Sequence, residues 1–142
     1  MRKIDCLFIH PTTHVKNPPK PTGADELAYL VLPVGTLALA NLLDKEGFES
    51  RIIHTGVEES FNRRFSVEEL FKEYEASVVG IDLHWYVHSY DAIRIAEIVK
   101  RFSNSFVVLG GFTASFYAEQ ILNEFDCVDA VIRGDAEIPL LE

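Results

Sequence analysis

The sequence predicts an α/β fold built on a doubly wound, Rossmann-like sheet of five parallel strands with helices on both faces. Short, nearly continuous apolar runs alternate with amphipathic stretches along the chain, and parallel strands that are buried on both faces have that composition. Right-handed crossovers between consecutive strands then give the flavodoxin-like order 2-1-3-4-5. The switch point of such a sheet, where ligands bind, lies between its first and third strands.

The apolar runs predict the five strands. One of them is shorter and more polar than the rest, and we expect it at the edge of the sheet. In chain order the predicted strands are Ile4–Ile9, Arg51–His54 (the edge strand), Val78–Ile81, Phe106–Leu109 and Val128–Ile132.

Amphipathic stretches between the strands predict four helices. The first begins near Pro33 and ends at Gly47, and the pair Ser66 and Glu69 has the spacing of a capping box at the start of the second. The apolar faces are Leu39, Leu42 and Leu43; Val67, Leu70, Phe71 and Tyr74; Ala92, Ile95, Ala96, Val99 and Phe102; and Ala114, Ala118, Ile121, Leu122 and Phe125. A last helix is expected to start near Ile138, so we expect residues 1–142 to be one domain from the amino-terminal part of a longer protein.

Composition narrows the possible partners. The chain has 13 Lys and Arg against 22 Asp and Glu, and this net charge of -9 disfavours nucleic-acid binding. No apolar run is long enough to span a membrane and no signal peptide is present, so a cytoplasmic protein is expected. Cys6 and Cys127 are far apart in the sequence and predict neither a disulfide framework nor a zinc site.

Four loops that follow predicted strands converge on one edge of the sheet and are the candidate binding site. Gly110 and Gly111 have no side chains, so a bulky ligand can approach the backbone there. The long stretch from His10 to Leu32 contains four of the six prolines and is expected to be functional. The candidate ligand-binding residues are Pro11, Thr12, Thr13, His14, Asp82, Leu83, His84, Trp85, Gly110, Gly111, Phe112, Thr113, Arg133, Gly134, Asp135 and Glu137; no residue is predicted to be catalytic or a metal ligand.

Three segments resemble motifs of the B12-binding radical SAM proteins. Residues 33–42, which read Pro-Val-Gly-Thr-Leu-Ala-Leu-Ala-Asn-Leu and precede Gly47, are similar to the PxGxxxLAxxL…G helix of that family. Residues 108–114 resemble its VLGGxHAT stretch. Residues 131–137 resemble its VxRGEGE segment, with Asp135 in place of Glu and Ala136 in place of Gly.

The resemblance implies a cobalamin-binding domain that precedes a radical SAM barrel in the same chain. It implies that the nucleotide tail of the cofactor enters near the switch point, faced by the loop 110–113, and that the corrin lies across the strand ends. A radical SAM core needs three cysteines in a CxxxCxxC motif, which this sequence lacks. The [4Fe-4S] cluster, S-adenosylmethionine and the reaction, a methyl transfer or a related step, would therefore belong to a carboxyl-terminal domain, the expected partner.

The sequence departs from the cobalt-ligating motif of other cobalamin proteins. The DxHxxG pattern is absent after the first strand, and the DxH formed by Asp82 and His84 is followed by Val87 where Gly is needed. We therefore expect His14, His84 and His88 to be polar groups at the rim, while His54 ends the edge strand. The alternative is that His14 or His84 ligates cobalt.

Other functions stay open. The domain would be a docking or substrate-shaping module without cobalamin if Trp85, Tyr86 and Phe112 filled the corrin space. A receiver domain would use Asp82 as phosphoacceptor, although Asp5 lies inside its strand, away from any metal site at the strand ends. A flavin-binding flavodoxin would need a phosphate loop, for which Thr12 and Thr13 give little support.

Overall fold

The computed structural model describes residues 1–12 and 31–142, which form a five-stranded sheet in the order β2-β1-β3-β4-β5. The predicted fold class and strand order are confirmed, and β2 lies at an edge as expected. In chain order the elements are β1 (Arg2–His10), α1 (Val34–Lys45), β2 (Ser50–His54), α2 (Thr55–Phe61), α3 (Val67–Glu73), β3 (Tyr74–Asp82), a 3-10 turn (Tyr86–His88), α4 (Ser89–Phe102), β4 (Phe106–Gly110), α5 (Phe112–Phe116), α6 (Ala118–Glu124), β5 (Ala130–Val131) and α7 (Glu137–Leu141).

All four strand pairs are parallel, so the carboxyl ends of the strands meet at one edge. The register places His10 opposite His54 and Asp82 opposite Gly110. The last residues of β1, β2, β3 and β4 therefore lie level with one another. This alignment brings side chains from distant parts of the sequence to a common rim.

The two faces of the sheet are packed unequally. On one face, α3 to α6 cover a large core that includes Leu7, Ile9, Val79, Ile81 and Leu109. On the other face, a smaller cluster is covered by α1 and α7; its buried members are Cys6, Phe8 and Leu43, with Leu39, Ala40, Ile52, Val78 and Leu140 packed against them. The buried cluster under α1 and α7 is therefore the smaller of the two.

The structure differs from the predicted helices at three places. Helix α2, which was not predicted, follows β2 directly. Its amino-terminal end is capped by His54, because the Val57 N–H donates to Nδ1 of that side chain, 3.4 Å away. The predicted fourth helix is two helices, because Tyr117 leaves helical geometry at φ -105° and ψ 21°. Ser66 precedes α3 as expected, but its hydroxyl makes no capping hydrogen bond, so the predicted capping box is wrong.

Among the described residues, no helix is long and apolar enough to cross a membrane.

Candidate functional site

A cleft of about 440 Å³ opens between the α1 face of the sheet and the rim at the strand ends. It lies over β1 and β3, at the switch point of the sheet. Its lining comes from the ends of β1, β3 and β4, the start of α1, and the segment that leads from β5 into α7. The lining residues are Phe8, His10, Val31, Leu32, Pro33, Val34, Gly35, Thr36, Ala38, Leu39, Gly80, Ile81, Asp82, His84, Trp85, Val108, Gly110, Gly111, Ile132, Gly134, Asp135, Ala136, Glu137 and Leu140.

The floor of the cleft is a row of three residues on neighbouring strands. Phe8 is paired with Gly80, and Gly80 with Val108. A Cβ atom on Gly80 would lie 2.8 Å from Cδ1 of Phe8, so the aromatic ring occupies the space above the glycine. Because Gly80 has no side chain, the Phe8 ring can pack against the strand backbone, and the cleft above the ring stays open.

The β4–α5 turn is fastened tightly to the loop after β3. The Leu83 N–H donates to the Gly110 carbonyl at 2.8 Å, and the Thr113 hydroxyl donates to the His84 carbonyl at 2.8 Å. Gly111 has φ +107°, a conformation that residues with a Cβ rarely adopt. The rim is therefore a rigid surface at this position rather than a flexible loop.

A cluster of buried imidazoles lies beside the cleft. His10 is 2% exposed, and its Nδ1–H donates to Oδ2 of Asp82 at 2.7 Å. The His10 ring centroid is 4.6 Å from that of His54 and 5.7 Å from that of His88. The Nε2 atom of His10 and the Nδ1 atom of His88 are buried, and neither has a hydrogen-bond partner in the part of the chain that the structure describes.

Two of these imidazoles are shifted toward the neutral form. Burial lowers the pKa of His54, and repulsion from His10 lowers it further. Burial is also the main cause of the lowered pKa of His88, again with a contribution from His10. Both nitrogens of the neutral His54 ring form hydrogen bonds. Nδ1 accepts from the Val57 N–H, and Nε2–H donates to the Val31 carbonyl.

We expect these shifts to make the fold less stable in mild acid. The reference pKa of both side chains is 6.5 and the folded values are lower, so the unfolded chain binds protons more readily than the folded chain. The free energy of unfolding should therefore fall as the pH drops below about 6.5 toward the folded pKa values. Urea unfolding at about pH 7.5 and about pH 5.5 measures the change. The variant His88→Phe should show a smaller drop, and equal or greater stability of the unsubstituted chain at the lower pH would contradict the account.

The structure brings eight of the predicted site residues together in the cleft. They are Asp82, His84, Trp85, Gly110, Gly111, Gly134, Asp135 and Glu137.

The other predicted site residues lie elsewhere. Pro11, Thr12, Leu83 and Thr113 are buried beneath the rim, Phe112 and Arg133 are exposed beside it, and Thr13 and His14 are outside the described residues. Thr12 is held by Thr55, whose hydroxyl oxygen accepts from the Thr12 N–H at 3.0 Å. The expectation that His88 is a polar group at the rim is wrong: the 3-10 turn directs it inward, where it is 6% exposed.

The sequence places His10 at the predicted rim, but neither His10 nor the start of α1 is among the candidate ligand-binding residues given above. The pairing of His10 with Asp82 had a readable signal, because the two residues end strands that are neighbours in the predicted order. The contribution of α1 had a weaker signal in Gly35, a helix-breaking residue type within the first turn. Within residues 1–12 and 31–142, no group of three or more His, Cys, Asp or Glu side chains is arranged to hold a metal ion.

Comparisons with known proteins give one family model and two similar curated proteins. The model of the B12 binding domain family matches residues 22–142. A protein of Pyrococcus horikoshii named an uncharacterized methyltransferase is 34% identical over 112 residues, which cover 78% of this chain and 23% of that protein. The anaerobic magnesium-protoporphyrin IX monomethyl ester cyclase of Rubrivivax gelatinosus is 29% identical over 136 residues, which cover 95% of this chain and 23% of the cyclase.

A solved structure has the same fold. It is the radical S-adenosylmethionine methyltransferase TsrM from Kitasatospora setae with cobalamin and a [4Fe-4S] cluster bound. The TM-score is 0.74 at 19% sequence identity, and the match covers 98% of this chain and 23% of the methyltransferase. The chain therefore spans about a quarter of the length of the proteins that it matches.

Proposed function

Because the chain belongs to the B12-binding domain family, we propose that it binds cobalamin with the nucleotide tail in the cleft and the corrin across the strand ends. The family resemblance predicted from the sequence is confirmed by the match over residues 22–142. The observation that carries the proposal is the cleft itself: a preformed space of about 440 Å³ over the switch point, on the α1 face of the sheet. Ligands of open α/β sheets bind at that position.

The residues of the cleft suit such a ligand. The volume lies within the range of about 300–1,000 Å³ typical of small-molecule pockets, enough for the tail but not for the corrin as well. The Phe8 ring, Val108 and the apolar side of α1 offer an apolar slot for an aromatic base. Gly110 and Gly111 have no side chains at the mouth, so the chain to the corrin can pass close to the backbone.

The rim offers an apolar platform outside the cleft. Trp85 is 52% exposed and Phe112 is 71% exposed, and the ring of each packs against His84 with centroids 4.8 Å and 6.3 Å apart. More than half of each of these two residues is exposed, so their apolar area is available to a ligand at the rim. This arrangement favours a bound corrin over the alternative in which the same aromatic side chains replace it.

We further propose that the chain presents cobalamin to a radical SAM domain in the carboxyl-terminal part of the parent protein. Bound cobalamin would supply the cobalt chemistry, while this chain would bind and orient the cofactor. Tyr86, Tyr90 and Phe116 are also largely exposed. Exposed aromatic side chains are typical of a surface that a partner domain covers.

Retention of hydroxocobalamin tests the proposal. The purified chain is mixed with hydroxocobalamin and passed through gel filtration, and the visible spectrum of the protein peak is recorded. We expect the red cofactor to elute with the protein and its spectrum to differ from that of free hydroxocobalamin. A colourless protein peak would instead support the docking module without cobalamin.

The receiver-domain alternative has a separate test. The Asp82 carboxylate is engaged by His10, and the Asp5 carboxylate accepts a hydrogen bond from the Glu49 N–H at 2.7 Å. Neither arrangement suits an acidic pair that binds Mg²⁺ beside a phosphoacceptor. We therefore expect no phosphorylation by acetyl phosphate with Mg²⁺, whereas phosphorylation that Asp82→Asn abolishes would support a receiver domain.

A further inference from the structure

Asp82 occupies the point where the cleft meets the rim. Its side chain is 18% exposed, and it lines the cleft beside His84 and Trp85. An ionised carboxylate only accepts hydrogen bonds and has two oxygens for that purpose. His10 engages Oδ2, so the carboxylate is anchored through one oxygen while it still faces the cleft.

The anchoring residue is held in a single orientation. Because the carboxylate is an acceptor, the nitrogen of His10 that faces it must carry the proton, which fixes Nδ1 as the donor. The His54 and His88 rings pack against the His10 ring from other directions. The His10 side chain is therefore confined, and so is the carboxylate to which it donates.

A histidine at position 10 is unfavourable for the stability of the fold if its role is purely structural. Among residues 1–12 and 31–142 its buried Nε2 atom has no hydrogen-bond partner, and an unpaired buried polar atom destabilises a fold by about 1–3 kcal/mol. An apolar side chain of similar size would fill the same space without that cost. The cost is explained if the imidazole is required for what it does to Asp82.

The charges in the cleft indicate which kind of ligand group forms a hydrogen bond with Asp82. Among the described lining residues, the charged side chains are Asp82, Asp135 and Glu137, and all three are acidic. A ligand carboxylate in direct contact with Asp82 would be repelled, whereas a neutral carboxamide brings N–H donors without charge. Amide groups surround the corrin ring of cobalamin, and carboxylates take their place in incompletely amidated corrinoids.

We propose that Asp82 accepts a hydrogen bond from a propionamide side chain of the corrin, that His10 is the positioning residue for this contact, and that the pair selects amidated over carboxylated corrinoids. This inference rests on the proposed function, since it names how the same site recognises cobalamin. It assigns His10 a role that acts through Asp82 and involves no contact with cobalt.

The test compares hydroxocobalamin with its b-, d- and e-monocarboxylic acids, in each of which one amide is hydrolysed. Affinities are measured by spectral titration. For the unsubstituted chain we expect one of the three acids to bind about tenfold or more weakly than hydroxocobalamin, because a hydrogen bond to a charged group is replaced by repulsion. For Asp82→Asn the same acid should bind nearly as well as hydroxocobalamin, because an amide side chain can donate to the carboxylate.

Variants of His10 distinguish a role in positioning Asp82 from a purely structural role. His10→Phe should reduce the discrimination between the acid and the amide, and His10→Asn should restore part of it, because its amide N–H replaces Nδ1–H. Asn123→Phe is the control: it places a phenylalanine on the exposed surface of α6, away from the cleft lining, and should keep the full discrimination. A merely structural role of His10 would weaken both ligands equally and leave their ratio unchanged.

Each remaining outcome overturns a defined part of the account. If all three acids bind the unsubstituted chain as tightly as hydroxocobalamin, or if Asp82→Asn keeps the discrimination, the inference is wrong while cobalamin binding stands. If the unsubstituted chain does not bind hydroxocobalamin, the proposed function is wrong and the inference with it.

Discussion

Replacement of Gly111 by alanine is expected to lower the free energy of unfolding by about 3 kcal/mol. At φ +107° and ψ 177° the backbone is in a region that glycine alone occupies readily. An added Cβ would lie 2.8 Å from the backbone nitrogen of His84 and 2.8 Å from the carbonyl carbon of Leu83. Backbone atoms cannot move aside as a flexible side chain can, so the turn and the β3–α4 loop would have to separate.

Urea unfolding followed by far-ultraviolet circular dichroism measures the effect, with Gly110→Ala as the control. Gly110 is the preceding residue, but a Cβ there meets no atom within 4 Å. We expect the control to change the stability by no more than about 0.5 kcal/mol. Equal stability of the two variants would show that the rim tolerates a side chain at Gly111, contrary to the packing described.

The substitution Gly110→Phe is expected to weaken hydroxocobalamin binding by about a hundredfold or more without loss of stability. Gly110 is on the same face of β4 as Val108, because alternate residues of a strand share a face, and both line the cleft. The space beyond its Cβ position is open. A phenylalanine there would occupy the volume that the proposal assigns to the nucleotide tail.

The matched control is Asn123→Phe, which places the same side chain on the exposed surface of α6, away from the cleft lining. Spectral titration gives the affinity and thermal unfolding gives the stability of each variant. The control should bind as the unsubstituted chain does. Undiminished binding by a folded Gly110→Phe variant would place the ligand outside the cleft.

The sheet was predictable because its signals are local. Continuous apolar runs such as Ile4–Ile9 identify buried parallel strands, and the handedness of crossovers leaves few possible strand orders. Helices were less predictable where they are short. The break at Tyr117 and the seven-residue α2 follow from tertiary contacts, such as the hydrogen bond from Val57 to His54, that periodicity does not encode.

The candidate site was predictable only to the level of its loops. Strand ends identify the rim, so Asp82, Gly110 and Gly134 were expected there, and they line the cleft. Which side chains face the cleft depends on turns that the sequence does not resolve. Thr113, for example, donates its hydroxyl to the His84 carbonyl and lies beneath the rim. His10 and Asp82 are 72 positions apart in the sequence. The predicted strand order makes their strands neighbours, but predicting the hydrogen bond between them also requires the register of β1 and β3.

The central claim, that the cleft takes the nucleotide tail of cobalamin, is tested most directly by comparing hydroxocobalamin with cobinamide, which has the corrin but lacks the nucleotide. Both affinities are measured for the unsubstituted chain by spectral titration. The account predicts that hydroxocobalamin binds about tenfold or more tightly, because only its tail fills the space over Phe8, Gly80 and Val108. Equal affinities for the two corrinoids would contradict it, since a ligand held by its corrin alone makes no use of the cleft.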